Sequence, residues 1–195
     1  MSFLGKVKKK LRNGSWYPFY NTFYEKNNLD PHMILLESRS GKALESNILS
    51  LLKELCQEPY RSFTLVLSVH RDSENEIKEK LQKNSIQGVR FVRTGSVAYY
   101  HALSRAGYLV NDTSFPGRFI KKEGQIYLNT WHGTPLKKMG RDNRPEMVTM
   151  GNVQRNLLDS DYLVFPKPVY GRKNVRSLYA GQSVPRNRSS RGLPT

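Results

Sequence analysis

Short apolar runs alternate with stretches of helical periodicity along most of this chain. Apolar residues recur every three or four positions between Leu44 and Leu55, which predicts a helix there. Helices are also expected from Ser73, where Ser73 and Glu76 are predicted to form a capping box, from Ser96 to Ala106 and near 150–159. The apolar runs predict β-strands at 33–37, 63–69, 89–92, 108–110, 125–129 and 162–165. Strands that alternate with helices in this way indicate an α/β fold, a Rossmann-like parallel sheet with flanking helices.

Polar and glycine-containing segments follow the predicted strands. In a sheet of parallel strands, ligands bind beyond the carboxyl ends of the strands, where such segments meet. The candidate site therefore draws on residues 38–41, 70–73, 94–96, 111–117 and 130–138.

The segment 129–138, Asn-Thr-Trp-His-Gly-Thr-Pro-Leu-Lys-Lys, is the richest of these in chemistry. The imidazole of His132 can take a proton from a hydroxyl at neutral pH. Gly133 allows close approach of backbone to a ligand, and Lys137 and Lys138 can balance phosphate charge. Spacing alone does not separate a catalytic His132 from a structural histidine at a strand end.

A second cluster, 111–116, places Asp112 and Ser114 after the fourth strand. The residues alone favour a local turn closed by the aspartate side chain over a ligand contact. The segment 94–96 opens the helix predicted from Ser96 to Ala106. There, a helix N-cap on Ser96 is favoured over an anion-binding site.

Composition excludes several classes of function. A single cysteine among 195 residues leaves no disulfide framework, and no set of histidines, cysteines and carboxylates has metal-ligand spacing, so no metal is expected. The glycines form neither a Walker loop nor a dinucleotide fingerprint, and no cofactor is expected. No apolar run is long enough to span a bilayer.

The net charge of +16 is concentrated at the two ends of the chain. Residues 1–12 and 167–195 contain no acid and hold twelve of the sixteen excess positive charges. A nucleic-acid-binding domain more often carries its basic stripe on the folded core, so no nucleic-acid partner is expected.

The termini are expected to differ from the domain at 31–166. The basic and aromatic segment 1–30 suits contact with an anionic membrane surface, and an N-terminal helix packed on its own domain is the open alternative. Residues 167–195 are rich in arginine, serine, proline and glycine and poor in periodic apolar residues, which predicts a disordered or aberrant tail.

The residues at 111–116 and 125–142, with the Trp-His-Gly-Thr-Pro-Leu-Lys core at 131–137, closely resemble the CDP-glycerol glycerophosphotransferases of teichoic acid synthesis. The resemblance covers roughly residues 33–166. It implies the N-terminal, acceptor-side domain of a GT-B-type fold, in which two Rossmann-like domains face each other across a cleft. It further implies a peripheral enzyme on the cytoplasmic face of the bacterial cell membrane.

The activity implied by the resemblance is transfer of glycerol phosphate or ribitol phosphate from CDP-glycerol or CDP-ribitol to a lipid-linked teichoic acid acceptor, with release of CMP. His132 matches the family's proposed base. The expected substrate and phosphate contacts are Arg39, Asp112, Ser114, Thr130, Gly133, Thr134, Lys137 and Lys138.

The chain departs from the family after Pro166, where no sequence resembles the second, donor-binding domain. We therefore expect a truncated form that is inactive alone and needs a second domain from elsewhere. A non-catalytic module that binds the membrane surface or the acceptor is the alternative of a different class.

Overall fold

A computed structural model describes residues 17–131 and 150–164. His132 and the rest of the segment 132–149 lie outside the described residues, as do 1–16 and 165–195. The predictions made for the ends of the chain therefore stay predictions.

Six parallel strands form one sheet in the order β3-β2-β1-β4-β5-β6. Their bounds are β1 Asp30–Glu37, β2 Thr64–Val69, β3 Arg90–Arg93, β4 Ala106–Asn111, β5 Ile126–Asn129 and β6 Tyr162–Leu163. All six strands were expected from the apolar runs, and each begins or ends within three residues of its predicted bound. The Rossmann-like sheet is thus confirmed.

Within the described residues, the sheet is flanked by five α-helices: α1 Tyr17–Lys26, α2 Ser46–Leu55, α3 Glu74–Lys83, α4 Val97–Arg105 and α5 Gly151–Asp159. Neighbouring residues of a strand point to opposite faces of the sheet. Because the central strands contain consecutive apolar residues, both faces of the sheet are apolar. Ile34 and Leu36 join a core with residues of α2 and α3, whereas Leu35 joins a second core with residues of α1 and α4. None of the described helices is long and apolar enough to cross a bilayer.

The N-cap predicted at Ser96 is confirmed, whereas the one predicted at Ser73 is wrong. Ser96 caps α4, since its hydroxyl accepts a hydrogen bond from the Tyr99 amide at 3.2 Å. The capping box predicted for Ser73 does not form: its side chain makes no cap hydrogen bond. A short 3-10 turn at Arg71–Ser73 precedes α3, and the His70 ring accepts from the Asp72 amide there.

Helix α1 packs on its own domain. Tyr20 is only 2% exposed, and its hydroxyl donates to the Ile120 carbonyl at 3.0 Å. Phe23 meets the ring of His101 edge-on, with centroids 5.4 Å apart. The described part of the N-terminal segment, 17–26, is thus a helix in contact with the domain, and the membrane contact predicted for 1–30 stays a prediction.

Candidate functional site

The strand order creates a crevice between β1 and β4. The helices that follow β1 and β2 cover one face of the sheet, while α4, which leads into β4, covers the other. In open α/β sheets the crevice at such a reversal is where ligands bind. Glu37, Asn111 and Asn129 are aligned at the carboxyl ends of β1, β4 and β5. We call the residues that follow them, 38–41, 112–113 and 130–131, the sheet mouth.

Asp112 joins two sides of the sheet mouth. One carboxylate oxygen accepts a hydrogen bond from the Ser38 hydroxyl at 2.8 Å, and the other accepts from the Arg39 amide at 2.8 Å. The Ser38 hydroxyl in turn accepts from the Glu45 amide at 3.2 Å. Asp112 is 4% exposed, so these bonds form in a site from which water is largely excluded. The local turn expected at 111–116 is therefore tied to a segment 73 residues away.

The turn that Asp112 holds is strained. Arg39, Ser40 and Gly41 have φ values of 49°, 55° and 77°, three left-handed residues in succession. Only the glycine adopts this region without steric cost. A side chain at Gly41 would also approach the His70 amide to 2.8 Å. The carboxylate of Asp112 compensates for this backbone strain with two charge-assisted hydrogen bonds.

Asn129 organises the third side of the sheet mouth. Its side-chain amide donates to the Asn111 side-chain oxygen and to the Thr113 carbonyl, each at 2.9 Å. Its side-chain oxygen accepts from the Trp131 amide at 2.9 Å. Trp131 is buried and has a φ of 52°, so Asn129 supports another left-handed residue. The backbone direction leaving β5 is therefore set by buried polar contacts.

A hydroxyl and a second amide complete this buried network. The Tyr127 hydroxyl lies 3.0 Å from the Asn111 side-chain oxygen and 3.2 Å from that of Asn156. Asn156, on α5, also accepts from the Phe115 amide at 2.8 Å. Burial raises the pKa of Tyr127, so the phenol stays protonated and can donate at every physiological pH.

Glu37, which the sequence analysis did not select, is a buried carboxyl beneath the sheet mouth. It is 1% exposed, and loss of hydration raises its pKa to about 7, with a smaller contribution from the charge of Asp112 and an opposing one from the Ser68 hydroxyl. Its Oε2 atom and the Tyr99 hydroxyl are buried without hydrogen-bond partners among the described residues. Its burial could have been predicted from the sequence, because Glu37 ends an apolar run of the kind found in central strands.

The described site residues from the sequence analysis lie together. Arg39, Asp112 and Thr130 belong to the sheet mouth, and the Ser114 hydroxyl is near the Asn152 side chain at 3.5 Å. The Thr130 amide donates to the Asn111 carbonyl at 2.8 Å. The Arg39 side chain reaches outward to Glu45 at 3.2 Å. The remaining predicted residues, His132, Gly133, Thr134, Lys137 and Lys138, lie outside the described residues.

No set of three histidine, cysteine or carboxylate side chains within 17–131 and 150–164 is arranged to hold a metal ion. The polar groups of the sheet mouth instead bind one another. What they present to a ligand is a rigid rim of backbone and hydroxyl groups at the ends of three strands.

Comparison with known proteins identifies the family. The model of the family described as CDP-glycerol:poly(glycerophosphate) glycerophosphotransferase matches residues 19–183. The chain belongs to this family. The resemblance drawn from residues 111–116 and 125–142 is thereby confirmed.

Curated relatives carry related names. The chain is 30% identical over 167 residues to a teichoic acid poly(glycerol phosphate) polymerase of Staphylococcus epidermidis, covering 82% of this chain and 22% of the relative. It is 28% identical over 171 residues to a teichoic acid glycerol-phosphate transferase of Staphylococcus aureus, covering 83% of this chain and 41% of that protein. The chain thus spans less than half the length of each of these relatives.

The fold is similar to that of the wall teichoic acid polymerase TagF. The superposition has a TM-score of 0.66 at 24% identity and covers 92% of this chain and 45% of TagF. At this identity the likeness concerns the fold alone. It confirms the expected Rossmann-like parallel sheet with flanking helices.

Proposed function

We propose that this chain supplies the acceptor side of a glycerophosphotransferase site. The reaction moves glycerol phosphate, or ribitol phosphate, from CDP-glycerol or CDP-ribitol to a lipid-linked teichoic acid acceptor and releases CMP. One observation carries the proposal: the family segment that begins at Asn129 leaves β5 next to the carboxyl end of β4, and helix α2, which follows β1, contacts it there. A side-chain amide from α2, that of Asn47, donates to the Thr130 carbonyl there at 3.1 Å.

The proposed chemistry is an in-line displacement at the β-phosphorus of the donor. His132 takes the proton from an acceptor hydroxyl, the hydroxyl oxygen bonds to the β-phosphorus, and the bond from that phosphorus to the bridging oxygen breaks. CMP leaves with the bonding electrons. Catalysis of phosphoryl transfer rests on positioning and charge stabilisation. Lys137 and Lys138 balance the charge, and Arg39 adds positive charge at the rim, where it also pairs with Glu45. Gly133 and Thr134 give the phosphate access to backbone and hydroxyl groups, while the buried Thr130, whose hydroxyl is bonded to backbone carbonyls, holds the start of the segment in place.

Asp112 and Ser114 have a different part in this proposal. Both oxygens of Asp112 accept hydrogen bonds from the 38–39 segment, and Ser114 lies against Asn152. They are proposed to shape the rim on which the acceptor rests. Their polar groups face protein partners in preference to solvent.

The donor is proposed to bind a second domain, which acts together with this one across a cleft. In a structure of a variant of TagF soaked with CDPG, 46% of the TagF chain matches this one, so more than half of TagF lies outside the match. The basic segment 1–12 is proposed to hold the enzyme peripherally at the cytoplasmic face of the membrane, through attraction to anionic lipid.

Binding assays on purified 1–195 separate the acceptor side from the donor side. We expect the chain to bind a soluble oligo(glycerol phosphate) acceptor in the millimolar range or tighter, to bind CDP-glycerol at least about tenfold more weakly, and to release no CMP from the two together. Isothermal titration and a coupled assay for CMP measure these. Preferential binding of CDP-glycerol would contradict the acceptor-side assignment, and CMP release that His132→Ala abolishes would contradict the need for a second domain.

A further inference from the structure

A cleft of about 840 Å³ opens beside the sheet mouth, beyond the ends of β2 and β3. Three guanidinium groups line it, those of Arg71, Arg93 and Arg118. They come from three separate segments, the 3-10 turn before α3, the end of β3 and the loop after β4. We call this feature the arginine cleft.

The charges in the arginine cleft do not cancel. Arg93 contacts Glu74 at 3.3 Å, and Glu74 is shared with Lys78 at 2.7 Å. Asp72 is the one carboxylate among the described residues that line the cleft, and it lies 3.4 Å from the His70 ring with a side chain that is 82% exposed. Arg71 makes no ion pair with a carboxylate in the described part of the chain. Positive charge is therefore in excess on the cleft wall.

Neutral groups on the wall also suit an anion. Helix α4 begins at the cleft, where Ser96 caps it, and the positive end of its dipole interacts favourably with negative charge. Arg118 is close enough to Tyr100 for its charge to lower the pKa of that phenol, against the larger raising effect of burial. Tyr100 lines the same cleft and adds a hydroxyl donor.

The wall is held rigid from outside the cleft. The Phe119 amide donates to the Pro116 carbonyl at 2.8 Å, and the Arg155 guanidinium donates to the same carbonyl at 3.1 Å. These contacts fix the loop that carries Arg118. On the other side, the Ser68 and Thr94 hydroxyls lie 2.9 Å apart. Guanidinium groups carry forked N–H donors that match phosphate oxygens, and these contacts order the segments that bear them.

The arginine cleft adjoins the sheet mouth through one backbone hydrogen bond. The His70 amide, at the edge of the cleft, donates to the carbonyl of Gly41 in the sheet mouth at 2.6 Å. We propose that the arginine cleft binds a glycerol-linked phosphodiester, one already present in the acceptor next to the hydroxyl that reacts. This proposal rests on the proposed function for the identity of the ligand. The volume exceeds what one phosphate group needs and leaves room for the polyol on either side.

The test uses purified 1–195 and two probes, glycerophosphoglycerol and a soluble oligo(glycerol phosphate). Titration calorimetry at low salt is expected to show binding that weakens at least about tenfold in the Arg71→Gln, Arg118→Gln double variant, because two charge-assisted contacts are lost. Arg61→Gln is the matched control, since Arg61 is exposed and pairs with Glu58 outside the cleft. It is expected to change affinity less than about twofold.

Vesicles of phosphatidylglycerol, which contains the same diester, distinguish a lipid source from a polymer source. Loss of vesicle binding in the double variant, with no binding of the soluble probes, assigns the site to a lipid headgroup. Loss of soluble-probe binding assigns it to the polymer. The proposal is overturned if the double variant binds every probe within about twofold of wild type, or if Arg61→Gln weakens binding equally.

The His70 ring gives a readout that is independent of the proposed function. Because His70 lines the arginine cleft, its nuclear magnetic resonance signals are expected to move when either soluble probe binds. Movement of the His70 signals alone would support binding in the arginine cleft. The role of His132 would then be decided by the His132 signals. An unmoved His70 at saturation would contradict the cleft without touching the proposed reaction.

Discussion

Replacing Asp112 by alanine should lower the free energy of unfolding by about 4 kcal/mol, because two buried hydrogen bonds to a carboxylate are lost together. The substitution leaves the Ser38 hydroxyl and the Arg39 amide without their acceptor. It also removes what holds three consecutive left-handed residues at 39–41. Urea unfolding at pH 7, followed by circular dichroism, measures the change.

Two further variants make the Asp112 result specific. Asp112→Asn keeps one acceptor oxygen and is expected to lose about half as much stability. Asp72→Ala removes a carboxylate whose side chain is 82% exposed, and is expected to change stability by less than about 0.5 kcal/mol. A loss below about 1 kcal/mol for Asp112→Ala would show that the contact between 38–39 and 112 does not hold the sheet mouth together.

Replacing Glu37 by glutamine should stabilise the protein at alkaline pH by as much as about 3 kcal/mol. Folding raises the pKa of Glu37 from 4.5 to about 7. Between these values the folded protein holds a proton that the unfolded chain has released, so wild-type stability falls as pH rises from about 4.5 to about 7. Above pH 7 the folded state carries a buried charge, and glutamine removes it.

The pH dependence of the difference is the decisive feature. At pH 4.5 the wild type is already protonated at Glu37, and the two proteins are expected to agree within about 1 kcal/mol. Thermal or urea unfolding across pH 4.5–8 gives the curve. Glu79→Gln, at an exposed position of α3, is the control and should show no such divergence. Parallel curves for wild type and Glu37→Gln would mean that the carboxyl is ionised without cost.

Apolar periodicity was sufficient to predict the sheet. Leu35 and Leu36 point to opposite faces of a strand that is covered on both sides, and a run without alternating polar residues is typical of such strands. The strand bounds also gave the carboxyl ends of the strands. Arg39, Asp112 and Thr130 were predicted to lie beyond those ends, and the structure places them there. Local rules served helix starts less well, since Ser96 caps its helix and Ser73 does not.

Contacts between distant segments could not be predicted from a single sequence. The bond from Ser38 to Asp112 joins residues 74 apart, and no local pattern in either segment indicates the other. The arginine cleft likewise combines Arg71 and Arg118, which only the strand order brings together. The elevated pKa of Glu37 depends on its near-complete burial. A glutamate at the end of an apolar run indicates that its side chain is buried but does not indicate how completely.

The central claim is that the acceptor hydroxyl meets His132, and the histidine ring signals of 1–195 test it most directly. The chain has four histidines. His101 packs against Phe23 and His32 lies beside Phe63, with ring centroids 5.7 Å apart, so both are internal controls. On saturation with soluble oligo(glycerol phosphate), we predict that the ring signals of His132 move while those of His32 and His101 stay in place. Saturable binding that leaves the His132 signals unmoved would contradict the account.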